Sequence, residues 1–136
     1  MKILAIFTCY NRKNLTKQSI ETLRENQNIT FDYVVVNDGS TDGTAEMLAA
    51  QPDTIDIING DGGLFWNRGM YEAIEHTKKN HPDYEYYMLM NDDTKFVPGI
   101  FDEMLTSLDN KKVLIGAIRG EDGKLSYGGI KYVKGI

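Results

Sequence analysis

Five runs of apolar residues recur along the chain, and most of them are continuous rather than alternating with polar residues. Continuous apolar runs of this length are typical of strands that are covered on both faces of a sheet. They predict strands at Ile3–Thr8, Tyr33–Asn37, Ile55–Asn59, Tyr86–Met90 and Val113–Ile118.

The segments between these runs carry apolar residues at helical spacing and predict four helices, the last opened by Pro98 near its first turn. Strand and helix alternate, which predicts an α/β fold with a mostly parallel central sheet and helices on both faces. The helical positions are Leu15, Ile20 and Leu23; Ala45, Met47, Leu48 and Ala49; Met70, Ala73, Ile74 and Thr77; and Ile100, Phe101, Met104, Leu105 and Leu108.

The last part of the chain has a different pattern. Asp122-Gly123 is typical of a hairpin turn and predicts short strands at Leu125–Tyr127 and Ile130–Val133. The sequence then stops at Gly135-Ile136, with no predicted terminal helix. An interrupted fold and a natural terminus both fit this pattern.

Length and charge narrow the class of protein. The 136 residues suffice for one domain with a hydrophobic core. Fifteen basic against 20 acidic residues give a net charge of -5, which argues against nucleic-acid partners. One cysteine excludes an internal disulfide framework and suits the cytoplasm.

Polar and glycine-rich segments follow each of the first four predicted strands. In a parallel sheet, ligands bind beyond the carboxyl ends of the strands. We therefore expect one ligand cleft there, formed by the segments Thr8–Arg12, Asn37–Gly43, Gly60–Gly69 and Asn91–Thr94.

Asp92 and Asp93 are the strongest chemical signal among these segments. Two adjacent carboxylates at a strand end repel each other unless solvent or a cation lies beside them. They could hold Mg²⁺ or Mn²⁺, which take oxygen ligands and share positions with phosphates. A solvated turn capped by Asp92 is the alternative, and the position at a strand end favours the metal.

Asp38 and Tyr10 are candidates for binding a nucleotide base. The carboxylate of Asp38 could accept the imide N–H of a uracil or thymine ring, or close an Asx turn, or do both. Tyr10 could stack on the base, although its place at a strand end by itself favours a partly buried ring.

The segment from Gly60 to Gly69 offers further candidates. Gly62 and Gly63 would let the backbone approach a ligand closely, although the segment lacks the ending of a phosphate loop. Trp66 could line a sugar pocket or anchor the third helix in the core, and the sequence favours neither role over the other. Arg68 could meet a phosphate or remain solvated.

Three other reactive side chains are expected to be structural. His76 and His81 lie in a polar, lysine-rich helix end and are predicted to be surface residues rather than ligands. Cys9 is predicted to be a packed thiol rather than a nucleophile.

Four segments together resemble the family-2 glycosyltransferases of the GT-A fold: TCYNR, VVNDGSTDGT, GDGGLFWNRGM and MNDDT. The similarity covers essentially the whole chain, and the third segment is most similar to the bacterial branch that includes rhamnosyltransferases of cell-surface polysaccharides. The resemblance implies a Rossmann-like, three-layer α/β/α domain over residues 1–136 that binds a nucleotide-diphosphate sugar, with Mn²⁺ or Mg²⁺ as cofactor.

The resemblance also implies roles for individual residues. Asp93 would bind the metal, with Asp92 toward the metal and the ribose or sugar, and the pair is a shortened form of the family's Asp-x-Asp motif. A sugar pocket would be lined by Gly62, Gly63 and Trp66. The nucleotide would be bound by Thr8, Tyr10, Asn11, Arg12, Asp38, Asn67, Arg68 and Asp92.

The family inverts configuration at the anomeric carbon, and a carboxylate base normally deprotonates the acceptor hydroxyl. In the family this base follows the region that matches Tyr127–Gly129, so we expect this chain to end before it. Implied partners are a glycan or lipid-linked acceptor, a peripheral contact with the inner face of the membrane, and a second copy of the chain.

A non-catalytic nucleotide-sugar-binding module is the main alternative to a glycosyltransferase. A sugar-phosphate nucleotidyltransferase and a receiver domain fit less well, because neither accounts for the loops after the first two strands.

Overall fold

A four-stranded parallel sheet forms the centre of the computed structural model, which describes residues 1–26, 28–106, 113–120 and 122–127. The strands are β1 (Lys2–Cys9), β2 (Thr30–Asn37), β3 (Ile55–Asn59) and β4 (Tyr86–Leu89). Their order across the sheet is β3-β2-β1-β4, and every neighbouring pair is parallel. The first four predicted strands are therefore confirmed to within three residues at each end.

Four helices follow these strands: α1 (Lys13–Arg24), α2 (Thr44–Ala49), α3 (Phe65–Asn80) and α4 (Ile100–Thr106). The chain divides into two compact units, Met1–Ile100 and Phe101–Ile136, which we describe separately. The mostly parallel sheet, its helices and the C-terminal antiparallel hairpin confirm the predicted Rossmann-like α/β fold of the GT-A type.

Side chains of β1 and β2 fill the core on both faces of the sheet. Seven of the eight residues in each strand are buried, which explains their continuous apolar runs. Strand residues alternate between faces, so one set packs beneath α3 and the other lies on the opposite face. The cluster beneath α3 consists of Leu4, Ile6, Val34, Val36, Met70 and Ala73.

Gly69 lets α3 approach the sheet. A Cβ atom added there would lie 2.5 Å from Oγ1 of Thr8, a buried residue near the end of β1. The hydroxyl of Thr8 donates to the carbonyl oxygen of Val36 at 3.3 Å, which fixes its rotamer. The predicted nucleotide ligand Thr8 is therefore part of the packing between helix and sheet.

The second unit differs from the prediction. Val113–Ile118 was expected to be a strand, but residues 113–117 have no regular structure and only Ile118 enters a strand. Strand β5 (Ile118–Arg119) pairs antiparallel with β6 (Leu125–Tyr127) around the predicted turn at Asp122-Gly123, where Gly123 has φ 74°. The turn is thus confirmed, whereas the partner of Leu125–Tyr127 precedes the turn, and Ile130–Val133 lies outside the described residues.

None of the helices in the described part of the chain has the length and apolar composition needed to span a bilayer.

Candidate functional site

Asp38 fixes the loop between β3 and α3. It follows β2 directly and is only 3% exposed. Its Oδ1 accepts the backbone N–H of Gly62 at 2.9 Å, and its Oδ2 accepts those of Leu64 and Phe65, each at 3.0 Å. A carboxylate has about four lone-pair positions, so one position remains for a base N–H, and the predicted contact with a base stays a prediction.

Two glycines make this close packing of loops sterically feasible. A Cβ atom on Gly60 would lie 2.4 Å from Oδ1 of Asp38, and one on Gly39 would lie 2.8 Å from the backbone nitrogen of Gly62. Gly39 also has φ 71°, a conformation that favours glycine. The two predicted sugar-pocket glycines, Gly62 and Gly63, lie in this anchored loop.

The loop between β1 and α1 is bound to the loop between β2 and α2. The Oδ1 of Asn11 accepts the backbone N–H of Thr41 at 2.7 Å, and the N–H of Asn11 donates to Oγ of Ser40 at 3.0 Å. Asn11 itself has φ 49°, within the left-handed region that asparagine tolerates. The side chain of Asn11 therefore joins the two loops, and its predicted contact with a nucleotide stays a prediction.

Tyr10 is 54% exposed where β1 ends. The expectation of a partly buried ring is therefore wrong, because more than half of the residue is accessible to solvent. An exposed aromatic face is the feature that stacking on a base requires.

Arg12 lies between the two acids that follow β4. Its Nη1 atom is 3.3 Å from Oδ1 of Asp92 and 3.1 Å from Oδ2 of Asp93. Burial raises the pKa of Asp92, the Arg12 guanidinium opposes that rise, and the Asp93 carboxylate adds to it. The two acids thus face one point in space, and a positive charge occupies it.

The first turn of α3 presents exposed aromatic rings. Trp66 is 57% exposed, and its Nε1 donates to Oδ1 of Asn91 at 3.0 Å. Of the two alternatives for Trp66, the core anchor is therefore wrong. Phe65 is 77% exposed and has φ 53°, a strained conformation for an aromatic residue. Such strain is concentrated at functional sites.

The remaining predicted nucleotide ligands on α3 are directed to solvent. Asn67 and Arg68 are exposed, and Nε of Arg68 lies 3.8 Å from Oε1 of Glu72 one turn later. An exposed ion pair of this kind adds little stability, so Arg68 can exchange Glu72 for another anion at low cost.

His76 and His81 depart most from prediction. Both are half-buried, and the Nε2 atoms lie 2.7 and 2.9 Å from the same Oδ2 atom of Asp56. The expectation of surface histidines is therefore wrong, because Asp56 on β3 faces them. The signal in the sequence was an aspartate within an otherwise apolar strand run.

Cys9, in contrast, is buried as predicted, and burial raises the pKa of its thiol to about 12.

The carboxyl edge of the sheet therefore gathers an anchored carboxylate, a guanidinium bridging two acids, and exposed aromatic rings. A parallel α/β sheet with this arrangement defines the class of ligand-binding α/β domains. The sequence model of glycosyl transferase family 2 matches residues 5–130, and the chain belongs to this family.

Similar proteins of known sequence are considerably longer. The chain is 28% identical over 92 residues to poly-beta-1,6-N-acetyl-D-glucosamine synthase of several Staphylococcus aureus strains, which covers 68% of this chain and 22% of the synthase. It is 40% identical over 47 residues to an uncharacterized glycosyltransferase of Rickettsia bellii, which covers 35% of this chain and 7% of that protein. The chain thus spans about a fifth or less of the length of these relatives.

Proposed function

We propose that this chain is the donor-binding part of a glycosyltransferase that takes its sugar from a UDP- or dTDP-linked donor. The observation that carries the proposal is the Arg12–Asp92–Asp93 arrangement at the carboxyl ends of β1 and β4. It lies in a family match that covers most of the chain. The acceptor would be a glycan or lipid-linked sugar, with the protein in the cytoplasm or at the inner face of the membrane.

Asp92 and Asp93 would hold Mn²⁺ or Mg²⁺ beside the diphosphate. The fit is chemical: both side chains offer carboxylate oxygens, which these ions prefer, and they already share a cation. When bound, such an ion would neutralise negative charge that develops on a departing nucleoside diphosphate.

The chain's own residues would orient the donor. The exposed ring of Tyr10 would stack on the base, and the remaining lone pair of Asp38 would accept the base N–H. Arg68 would exchange Glu72 for a phosphate. The anchored loop with Gly62 and Gly63, together with Trp66, would then face the sugar.

Two features suggest different donor sugars. The segment Gly60–Met70 is similar to the rhamnosyltransferase branch, which favours a deoxyhexose on dTDP. The name of the Staphylococcus aureus relative favours an N-acetylhexosamine instead. We expect transfer with inversion in either case, and a comparison of dTDP-rhamnose with UDP-N-acetylglucosamine would separate the two donors.

Binding without catalysis is the second candidate function. The acids of the segments at this edge are each engaged: Asp38, Asp42 and Asp61 with backbone amides, and Asp92 and Asp93 with Arg12. Among the described residues we can assign none of them as the base for an acceptor hydroxyl. Release of nucleoside diphosphate from a bound donor in the presence of acceptor would separate the enzyme from the binding module.

Trp66 provides a direct assay of donor binding, because it is the only tryptophan and lies in the cleft. We expect UDP or dTDP with Mn²⁺ to change its fluorescence, and EDTA to weaken binding. Asp93→Asn should weaken the metal-dependent binding at least about tenfold, because it removes a charged ligand. The matched control is Asp83→Asn, which changes an exposed aspartate just before the amino end of β4. This variant should bind nucleotide and metal as the wild type does.

Two results would count against the proposal. If neither nucleotide binds under any condition, the donor site is refuted. If a nucleotide binds equally with Mn²⁺ and with EDTA, and Asp93→Asn is unchanged, the metal role of the two acids is refuted while the donor site stands.

A further inference from the structure

A second group of potential metal ligands lies away from the cleft. Asp56 is the second residue of β3, whereas Asp92 and Asp93 follow the carboxyl end of β4. His76 comes from the last part of α3, and His81 follows that helix directly. Because α3 runs antiparallel to the strands, its carboxyl end returns to the edge of the sheet where the strands begin.

The backbone around His81 is held in place by its neighbours. Its N–H donates to the carbonyl oxygen of Thr77 at 2.8 Å, and its carbonyl oxygen accepts the hydroxyl of Tyr87 at 2.8 Å. At His81 φ is −134° and ψ is 53°, which ends the helix. These contacts direct the imidazole back toward β3, and the side-chain amide of Asn80 bonds the carbonyl oxygen of His76 at 3.0 Å.

The three side chains converge on one atom. The Nε2 atoms of His76 and His81 lie 2.7 and 2.9 Å from Oδ2 of Asp56, and one ligand atom from each residue lies within 4.8 Å of the others. In a tetrahedral Zn²⁺ site, bonds of about 2.0–2.2 Å place ligand atoms about 3.4 Å apart. Movements of the three side chains by less than about 1 Å would therefore bring their ligand atoms to the spacing that a bound ion requires.

The site combines partial burial with access from solvent. The side chains of His76, His81 and Asp56 are 30%, 26% and 38% exposed. An open depression of about 530 Å³ reaches His76 and is lined in part by Glu72 and Glu75, which would attract a cation. A metal site needs such an entry path as well as suitable ligands.

We propose that Asp56, His76 and His81 form a Zn²⁺ site with an open position for water, distinct from the acids at the nucleotide cleft. Imidazole nitrogens favour Zn²⁺, whereas all-carboxylate sites favour Mg²⁺ and Mn²⁺. The bound ion would join the end of α3 to β3, which is an edge strand of the described sheet. The proposal is independent of the donor proposed for the cleft.

The test is a Zn²⁺ titration of metal-free, untagged protein against a chromophoric chelator. We expect one tightly bound Zn²⁺ per chain. The chain contains only two histidines, so imidazole signals in NMR report on this site alone, and both should shift when Zn²⁺ is added. Zn²⁺ should also raise the melting temperature of the wild type.

His76→Gln and His81→Gln remove one ligand each. Loss of a residue that merely orients a metal ligand weakens affinity about 10- to 100-fold, so we expect each variant to bind Zn²⁺ at least about 100-fold more weakly. Glu21→Gln changes an exposed acid on α1, away from the site, and Asp93→Asn changes the cleft. Both controls should bind Zn²⁺ as the wild type does.

Several outcomes would overturn the proposal. One is that the wild type binds less than one Zn²⁺ per chain. Another is that the two glutamine variants bind Zn²⁺ as tightly as the wild type. If those variants do not fold, the NMR measurement on the wild type tests the proposal instead. Histidine signals that do not shift at saturating Zn²⁺ would show that the ion binds elsewhere. If Asp93→Asn alone abolishes Zn²⁺ binding, the ion belongs to the cleft.

Discussion

Removal of the Asp38 carboxylate should release the loop between β3 and α3. Three backbone amides, those of Gly62, Leu64 and Phe65, donate to it at 2.9–3.0 Å. A hydrogen bond to a charged group contributes about 1.5–3 kcal/mol, and bonds to one acceptor are not additive. We therefore expect Asp38→Ala to lower the free energy of unfolding by about 3–5 kcal/mol.

Asp38→Asn should have a smaller effect, because an amide keeps one acceptor oxygen. The expected loss is about 1.5–3 kcal/mol, which corresponds to the bonds of the lost oxygen. Urea unfolding measures the total, and hydrogen exchange of the three amides localises it. These amides should exchange faster in the variant while amides of β1 remain protected.

Asp61→Asn provides the matched control in the same loop. The Oδ1 of Asp61 accepts the backbone N–H of Gly63 at 2.9 Å, but the residue is exposed and the bond is local. We expect a change of less than about 0.5 kcal/mol. If Asp38→Ala is equally mild, or if its three amides stay protected, Asp38 does not anchor the loop.

Three further predictions concern packing, thiol reactivity and acid stability. Gly69→Ala should destabilise the fold by about 1–2 kcal/mol despite the higher helix propensity of alanine, because its Cβ would lie 2.5 Å from Oγ1 of Thr8; urea unfolding measures this. Cys9 should react with iodoacetamide at pH 8 at least about 100-fold more slowly in the folded than in the unfolded chain, since burial raises its pKa to about 12. Hydrogen bonds from the Thr44 side chain and the Lys13 backbone lower the pKa of Asp42, so its stabilisation is complete above the unfolded value near 3.8 and is lost as pH falls through the lower folded value. In acid unfolding, Asp42→Asn should reduce this loss.

Each of these predictions has a control or a contradicting result. Gly116→Ala should change stability by less than about 0.5 kcal/mol, because an added Cβ there meets no atom within 4 Å. Equal losses for Gly69→Ala and Gly116→Ala would argue against a steric cause. Rapid labelling of folded Cys9 would show that the thiol is accessible. Parallel acid unfolding curves for wild type and Asp42→Asn would exclude Asp42 as a source of acid sensitivity.

The central strands could be predicted because both faces of each are covered, which leaves an unbroken apolar run in the sequence. Val113–Ile118 shows the same pattern, yet only Ile118 enters a strand, and its partner is β6 rather than a parallel neighbour. An apolar run records burial or hydrophobicity alone and does not specify its partner. Pairing depends on tertiary context, which the local pattern does not contain.

The segments that lie at the carboxyl edge of the sheet could be predicted as a set, because the ends of parallel strands meet at one edge. Their individual partners could not. Arg12 and Asp92 are 80 residues apart, and His81 and Asp56 are 25 apart. The first contact arises because β1 and β4 are neighbours in the sheet, and the second because the end of α3 returns to β3. The local sequence around each residue does not specify its partner.

If Asp92 and Asp93 bind the proposed metal, the guanidinium between them would make the site selective for divalent over monovalent ions. A monovalent ion that displaced Arg12 would only exchange one positive charge for another, whereas a divalent ion brings two and approaches oxygen to about 2.0–2.1 Å. The displaced guanidinium would then lack an anion, and an incoming diphosphate would supply one. Uptake of the ion and of the diphosphate would thereby favour each other, as linkage requires. Arg12→Gln should weaken this coupling, so that nucleotide improves binding of the ion less than it does in the wild type.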